Sequence, residues 1–171
     1  MNKPSVCVTL RGRTSEDMIS DAPKAIKMGA DLLEVRLDFL WTTEEKIRTT
    51  KISDEGEKDE VEVLVGKLGF EEVDFQKEIE SISSSIEAPI VMVCRPREQG
   101  GFFPSSEDER FSVLRSAISA NPSWIDLEID IPAQEREELV SLAEGGQTQV
   151  IASFHSSEGV PSTSEITKDI S

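Results

Sequence analysis

The chain has 171 residues, of which 18 are basic and 34 acidic, so its formal net charge at pH 7 is −16. Such an acidic chain is a poor partner for nucleic acid or an anionic membrane, because both attract an excess of lysine and arginine. No apolar run approaches the roughly 20 residues of a membrane span, and we expect no secretory signal. Cys7 and Cys94 lie inside apolar runs, which predicts free thiols in a cytoplasmic protein.

Short apolar runs alternate with stretches of helical periodicity along the chain. The runs predict five strands, over residues 5–10, 31–39, 89–95, 124–129 and 149–155. Helix-start residues and apolar spacing predict five helices. They begin after Thr14, near Phe75, after Ser106, at Pro132 and after Ser162. Pro23 lies inside the first helix and predicts a kink or a local irregularity there.

This alternating order predicts an α/β fold with a parallel sheet covered by helices. An open doubly wound sheet and a barrel both remain possible at this point. The turn after the first strand, residues 11–14, lacks the glycine-rich pattern of nucleotide-binding sheets. Polar residues instead follow the ends of several strands, as in (β/α)8 TIM barrels. A barrel takes about 250 residues, so we expect residues 1–171 to form the N-terminal part of a single (β/α)-barrel domain, with about five β/α units.

One segment concentrates the acidity of the chain. Residues 54–80 contain eleven acidic and three basic residues, which is half of the net charge. We interpret this segment as a surface excursion that lies in solvent. The acids around Gly56 lack the alternating spacing of a calcium loop, so we expect no metal site there.

Two strands carry charged residues at alternate positions. Glu34 and Arg36 lie two apart, so they point to the same side of their strand. Charges in an apolar strand are costly unless they are paired or used, so the two residues form either an internal ion pair or part of a functional site. Asp126 and Glu128 repeat the pattern, and two neighbouring buried carboxylates need a cation or a hydrogen-bond donor.

Two further residues end predicted strands. Arg95 precedes the Gly100-Gly101 turn, which suits a side chain that holds a polar or anionic substrate, although a loop arginine in water is the simpler interpretation. His155 is the only histidine and ends the fifth strand. Asp126 or Glu128 on the neighbouring strand would then orient its imidazole and set its tautomer.

These motifs resemble, in order, those of type I 3-dehydroquinate dehydratase. Residues 3–38 resemble the first β-α-β unit of that family. The resemblance implies substrate-binding roles for Glu34, Arg36 and Arg95, and a catalytic role for His155, with the Asp-x-Glu of the fourth strand matched by residues 126–128. It covers most of the chain except about 48–75, which the resemblance implies to be an acidic insertion. Two positions depart from the family pattern: Gln99 replaces a glutamate, and Ser156 replaces a more usual aspartate.

The resemblance implies a lyase of the shikimate pathway of aromatic amino acid biosynthesis. The family dehydrates 3-dehydroquinate to 3-dehydroshikimate through a lysine Schiff base, with histidine as general acid and base. It implies no cofactor and no metal, a small-molecule substrate and a possible homodimer. The family lysine lies on the sixth strand, whereas Lys168 falls in the predicted fifth helix, so we expect this chain alone to be inactive.

Two other interpretations remain open. The chain would also suit a truncated homologue that acts as a non-catalytic binding or interaction module, with its sheet edges covered by a second copy or a partner. It would equally suit another Schiff-base barrel enzyme, a lyase or an aldolase with a different substrate.

Overall fold

The computed structural model describes residues 4–53, 56–156, 159–160, 162–164 and 167. Within these ranges the chain forms seven strands and four α-helices. The strands are β1 (Cys7–Leu10), β2 (Leu32–Arg36), β3 (Thr42–Ser53), β4 (Gly56–Lys67), β5 (Ile90–Val93), β6 (Trp124–Glu128) and β7 (Gln149–Ser153). The helices are α1 (Ser15–Lys27), α2 (Phe75–Ser85), α3 (Glu107–Ser119) and α4 (Ala133–Glu144). The helix predicted after Ser162 lies largely outside the described residues.

Five strands form one parallel sheet in the order β1-β2-β5-β6-β7. Apart from the β3–β4 pair, neighbours in the sheet follow one another in the chain, as the first five strands of a (β/α)8 barrel do. Successive helices contact each other, which is expected when right-handed crossovers place them in one layer. The predicted fold class is therefore confirmed.

The core lies between this sheet and the helix layer. In β2, the alternate residues Leu33 and Val35 are fully buried in this core. Glu34 and Arg36 therefore lie on the opposite face of the strand. The sheet and the helices both contribute large, fully buried apolar side chains, among them Met18, Leu33, Ile79, Ile82, Leu114 and Ile125. Burial of one such side chain contributes about 1.5–3 kcal/mol.

The helix starts follow the predicted capping chemistry. The Thr14 hydroxyl accepts a hydrogen bond from the Asp17 N–H at the start of α1. At the start of α3, Ser106 and Glu109 form a reciprocal capping box. α1 continues through Pro23, which lies on its exposed side, so the irregularity predicted there does not end the helix.

Several strands end earlier than predicted, because their last residues turn into loops at the carboxyl edge of the sheet. β2 stops at Arg36 instead of residue 39, and Leu37–Trp41 forms a 3-10 helix. β5 stops before Arg95, whose N–H bonds to the Asp38 side chain. β7 stops before His155, whose N–H bonds to Gln99. These N–H groups bond to side chains and not to a neighbouring strand, so the ladder ends there.

Strands β3 and β4 form an antiparallel hairpin that contains most of the predicted acidic segment. The hairpin leaves the sheet after the 3-10 helix that follows β2. An aromatic contact closes its base, since the rings of Trp41 and Phe70 stack with centroids 5.8 Å apart. The indole N–H of Trp41 donates to the Phe70 carbonyl over 3.0 Å. That this segment is an insertion relative to the family stays a prediction.

No helix among the described residues is both long enough and apolar enough to cross a membrane.

Candidate active site

The carboxyl edge of the parallel sheet gathers the charged residues that the sequence singled out. Glu34 and Arg36 lie on β2, Arg95 follows β5, and Asp126 and Glu128 lie on β6. His155 follows β7 two residues after its last residue, Ser153. Parallel strands bring all these positions to one side of the molecule, where TIM barrels build their active sites.

The two charged residues of β2 take separate partners. Glu34 accepts a hydrogen bond from the hydroxyl of Thr9, which is its register partner on β1. The Arg36 guanidinium pairs with Asp38, with Nε–Oδ1 and Nη2–Oδ2 distances of 2.7 Å. The ion pair of Arg36 is therefore made within the turn that follows the strand. Asp38 was not singled out from the sequence, although a carboxylate two residues after an arginine was the available signal.

Arg36 is held on two sides. Its guanidinium carbon lies 5.1 Å from the centroid of the Phe39 ring, and Arg11 lies 5.0 Å from the same ring. Burial alone would lower the pKa of Arg36, but the hydrogen bond and the negative charge of Asp38 outweigh it and raise that pKa. Arg36 is thus a fixed, permanently charged donor at the edge of the site.

A buried cluster of two arginines and two carboxylates lies beside it. Arg95 Nη2 is 2.9 Å from Asp126 Oδ2, and Arg95 Nε is 3.5 Å from Glu128 Oε1. Arg110, from α3, places Nη1 2.8 Å from Glu128 Oε2. The cationic partners that two buried carboxylates require are therefore these two arginines.

Arg110 is the member of this cluster that sequence analysis missed. It lies directly after the Ser106–Glu109 capping box, on the side of α3 that faces the sheet. It pairs with both Glu107 and Glu128, and these two carboxylates outweigh the cost of burial and raise the pKa of Arg110. The sequence signal was its spacing: Arg110 precedes Val113, Leu114 and Ala117 by three, four and seven residues, which places it on the apolar face of α3.

Three polar atoms of the cluster lack a hydrogen bond in the described part of the chain. They are Arg95 Nε, Asp126 Oδ1 and Glu128 Oε1, all closed to solvent. Arg95 Nε and Glu128 Oε1 nevertheless face each other as an ion pair at 3.5 Å. Of the three atoms, Asp126 Oδ1 is therefore the one without a charged or hydrogen-bonding partner among the described residues. An acceptor beside the Arg95 guanidinium suits a ligand that carries hydroxyl groups, which both donate and accept.

His155 is exposed at the edge of the sheet and is fixed through its backbone. Its N–H donates to Gln99 Oε1 over 2.9 Å, and Gln99 Nε2 donates to Asp130 Oδ2 over 2.8 Å. Desolvation by neighbouring atoms and the positive charge of Arg95 lower the pKa of His155, while Asp126 and Glu34 act in the opposite direction. The neutral imidazole that a general base needs is thereby favoured.

The carboxylates predicted to orient His155 take other hydrogen-bond partners. Asp126 bonds to Arg95, and Glu128 bonds to Arg110. Asp126 still acts on His155 through its charge. The orienting role of both residues stays a prediction.

The Gly100-Gly101 turn gives the loop after Arg95 its shape. Gly100 has φ +81°, a backbone conformation that favours glycine. A Cβ on Gly101 would lie 2.0 Å from the Arg95 carbonyl oxygen, so only glycine fits there. The turn thus allows the chain to fold back closely on Arg95, just after the end of β5.

In the described ranges, no group of three or more His, Cys, Asp or Glu side chains is arranged to hold a metal ion. The edge instead offers paired arginines, several carboxylates and one imidazole. This set is suited to binding a polar, hydroxylated molecule and to moving a proton on it.

A parallel α/β sheet with its strands in chain order and its charged groups at the carboxyl edge defines a barrel-type enzyme fold. The family model of Type I 3-dehydroquinase matches residues 6–171. The chain therefore belongs to the Type I 3-dehydroquinase family.

Relatives with this name share modest identity with the chain. The 3-dehydroquinate dehydratase of Methanopyrus kandleri is 28% identical over 162 residues, which is 94% of this chain and 58% of that protein. The corresponding protein of Desulfotalea psychrophila is 24% identical over 167 residues, with 98% and 58% covered. The chain thus spans somewhat more than half the length of these relatives.

Solved structures show the same fold. The 3-dehydroquinate dehydratase of Enterococcus faecalis superposes with a TM-score of 0.73 at 18% identity, over 98% of this chain and 60% of that one. The type I enzyme of Clostridium difficile, solved with covalently modified comenic acid, gives a TM-score of 0.72 at 22% identity, over 98% and 57%.

Proposed function

We propose that this chain supplies the acid–base group and part of the substrate-binding site of a 3-dehydroquinate dehydratase, a hydro-lyase that forms 3-dehydroshikimate. The observation that carries the proposal is the gathering of Arg36, Arg95 and His155 at the carboxyl edge of the sheet, in a chain that the family model matches. The ring hydroxyls of 3-dehydroquinate provide the complementary donors and acceptors.

In the proposed reaction, a lysine amine condenses with the substrate ketone and releases water. The resulting iminium makes the adjacent C–H acidic. His155 takes that proton as general base, and the electron pair expels the neighbouring hydroxyl, to which the imidazolium returns a proton, so that a second water leaves. Hydrolysis of the imine then frees the product and the lysine. The lowered pKa of His155 supports the first of its two roles.

Glu34, Arg36 and Arg95 hold the substrate in this proposal. Arg36 and Arg95 are fixed by carboxylates before any ligand arrives, so little side-chain entropy is lost on binding. The negative charge of Asp126 acts on the imidazole and favours the imidazolium that forms during proton transfer, and the proposal keeps an orienting role for Asp126 and Glu128.

The family lysine is proposed to lie on a sixth strand of the parallel sheet, and the described residues form five strands of that sheet. Lys168 lies outside the described residues and is not proposed as the nucleophile. The chain as given should therefore bind 3-dehydroquinate without turning it over.

Binding is the first test of this proposal. Titration of the ¹⁵N-labelled chain with 3-dehydroquinate should shift the amide signals of Arg95 and His155. Benzoate, which has a carboxylate but no hydroxyls, is the matched control ligand and should shift them little. Equal effects of the two ligands would contradict a site built for hydroxyl groups.

Borohydride trapping followed by intact mass measurement tests the chemistry. We expect no adduct on the 171-residue chain. A chain extended by the remaining C-terminal part of the Methanopyrus kandleri relative should form one with 3-dehydroquinate. An adduct on the shorter chain would overturn the assignment of the lysine, and a folded extended chain that binds the ligand but forms none would overturn the proposed reaction.

A non-catalytic interaction module, for instance a homodimer, is the second candidate. β7 lies at an edge of the sheet and exposes Val150 and Ile151, and Phe154 follows it with 47% of its surface exposed. Apolar side chains beside an open strand edge favour association. Light scattering during size exclusion decides this: a monomer at all concentrations would contradict it.

A cytoplasmic setting is part of the proposal, since both cysteines are free thiols, with Cys7 exposed and Cys94 buried. The net charge of −16 supports a small molecule, and neither nucleic acid nor a membrane, as the partner.

A further inference from the structure

Asp38 collects four N–H donors on one carboxylate. Its two oxygens accept from Nε and Nη2 of Arg36, each over 2.7 Å. Oδ1 also accepts from the backbone N–H of Arg95 over 3.4 Å, and Oδ2 from that of Phe102 over 3.0 Å. The Asp38 side chain is fully closed to solvent. Four donors on its two oxygens hold this buried carboxylate in one orientation.

The two backbone donors are the two ends of one loop. Arg95 begins the loop and Phe102 ends it, so a single carboxylate closes residues 95–102 at the stem. Inside the stem, the Gly101 N–H donates to the Pro96 carbonyl over 2.9 Å. The ring of Phe102 also packs on that of Phe39, with centroids 4.9 Å apart. The loop is therefore held against the turn that carries Asp38.

This loop also reaches the histidine. Gln99, near its tip, accepts the His155 N–H through its side-chain oxygen. A continuous series of contacts thus runs from Asp38 through the loop to the backbone of His155. The same carboxylate holds the Arg36 guanidinium directly.

We propose that Asp38 is a positioning residue that sets Arg36 and the loop 95–102, and through Gln99 the His155 backbone, in one fixed arrangement. It bonds to protein donors through both of its oxygens and so acts on a ligand only through Arg36 and the loop. The inference rests on the proposed function for its ligand, but its geometric part is tested without any ligand.

Asp38→Asn is the informative substitution, because it keeps the shape of the side chain. One carboxylate oxygen becomes an NH₂ group, which faces an N–H donor and cannot accept from it. The charge that pairs with Arg36 is lost as well. Asp21→Asn is the matched control, since Asp21 lies on the exposed side of α1 and pairs only with Lys24 there.

Hydrogen exchange of the ligand-free chain is the first measurement. In Asp38→Asn, exchange at the Phe102 amide and at Arg36 Nε should accelerate about tenfold, as loss of one charge-assisted hydrogen bond implies. The His155 amide should accelerate as well. Asp21→Asn should leave all three unchanged. Unchanged exchange in folded Asp38→Asn would overturn the proposal.

Ligand affinity is the second measurement, and it separates positioning from a general structural role. Asp38→Asn should weaken 3-dehydroquinate binding about tenfold in the unaltered chain. In an Arg36→Met background, the same substitution should cost clearly less than tenfold, because only its action through the loop remains. Equal losses in both backgrounds would overturn the action through Arg36.

Two further outcomes keep the proposals separate. If the unaltered chain binds no 3-dehydroquinate, the proposed function fails while the exchange data still decide the role of Asp38. If Asp38→Asn does not fold, hydrogen exchange of the single variant Arg36→Met tests the proposal instead. Asp38 then keeps its two backbone donors, so the Phe102 amide should remain protected, and loss of that protection would overturn the closure of the loop by Asp38.

Discussion

Arg110 and Glu128 form an ion pair, with Nη1 and Oε2 2.8 Å apart, in which both side chains are closed to solvent. Arg110 also donates to the carbonyl of Cys94 over 3.0 Å. The pair joins α3 to β6 and to the end of β5. It leaves the other oxygen of Glu128 directed at Arg95, on the side where the unsatisfied atoms lie.

Removal of this arginine should destabilise the chain strongly. Arg110→Met leaves Glu128 buried beside fewer cations, and we expect a loss of about 3–5 kcal/mol in the free energy of unfolding. The double variant with Glu128→Leu should regain most of it, because no unpaired charge remains. Arg115→Met is the control: its pair with Glu135 is partly exposed, so the loss should stay below about 1 kcal/mol. Urea unfolding measures all three, and equal losses for the two single variants would contradict the prediction.

The single histidine allows a direct test of the charges around it. The ring proton signal of His155 should titrate with a midpoint below its ordinary pKa of 6.5. Arg95→Gln should raise that midpoint, since a positive charge is removed. Because the folded pKa lies below that of the unfolded chain, the unfolded state binds the proton more readily. The part of the folding free energy that depends on neutral His155 is therefore fully present above pH 6.5. It is lost as the pH falls through the lower pKa that His155 has in the folded chain. A midpoint above the ordinary value would refute this electrostatic account.

The adjacent glycines of the 95–102 loop should respond differently to alanine. At Gly101 a Cβ would lie 2.0 Å from a backbone oxygen, so Gly101→Ala has to displace the main chain. We expect a loss of more than about 2 kcal/mol in unfolding free energy. At Gly100 the described structure leaves open space, and only the positive φ opposes a side chain, at about 1 kcal/mol. Urea unfolding of the two variants checks the order, which the reverse ranking would disprove.

Gln99→Glu tests the contact between the loop and the histidine. The new carboxylate retains an acceptor for the His155 N–H but places a negative charge against Asp130. The added charge should raise the pKa of His155, as the ring titration will show. Asp130→Asn in the same chain should relieve the repulsion and restore the contact, while Gln99→Met should accelerate exchange of the His155 amide. A fall in the His155 pKa on Gln99→Glu would count against the arrangement.

The five strands of the parallel sheet, their order and the edge that holds the charged residues were predictable, because they depend on local patterns. Apolar runs such as residues 90–93 are flanked by residues that start or end helices, and Ser106 with Glu109 forms the capping box that its spacing predicts. Alternation along β2 correctly placed Glu34 and Arg36 on one face. Charged residues at strand ends then had to meet at one edge of a parallel sheet.

The partners of these charges were not predictable in the same way. Arg36 has a carboxylate two residues before it and another two residues after it, and only the turn after β2 decides that Asp38 is bonded. Arg110 meets Glu128 through the packing of α3 on the sheet, which no local pattern encodes. The hairpin was also missed, although valines at 61, 63 and 65 alternate with other residues as in a strand.

The order of the sheet has a consequence for synthesis on the ribosome. After β1, each strand of the series β2, β5, β6 and β7 pairs with one that has already been made. Between β2 and β5, the hairpin strands β3 and β4 pair with each other, so this pairing needs no strand that is made later. The sheet can therefore grow in the direction of translation, strand by strand, so that each newly released segment finds its place without displacing an earlier one.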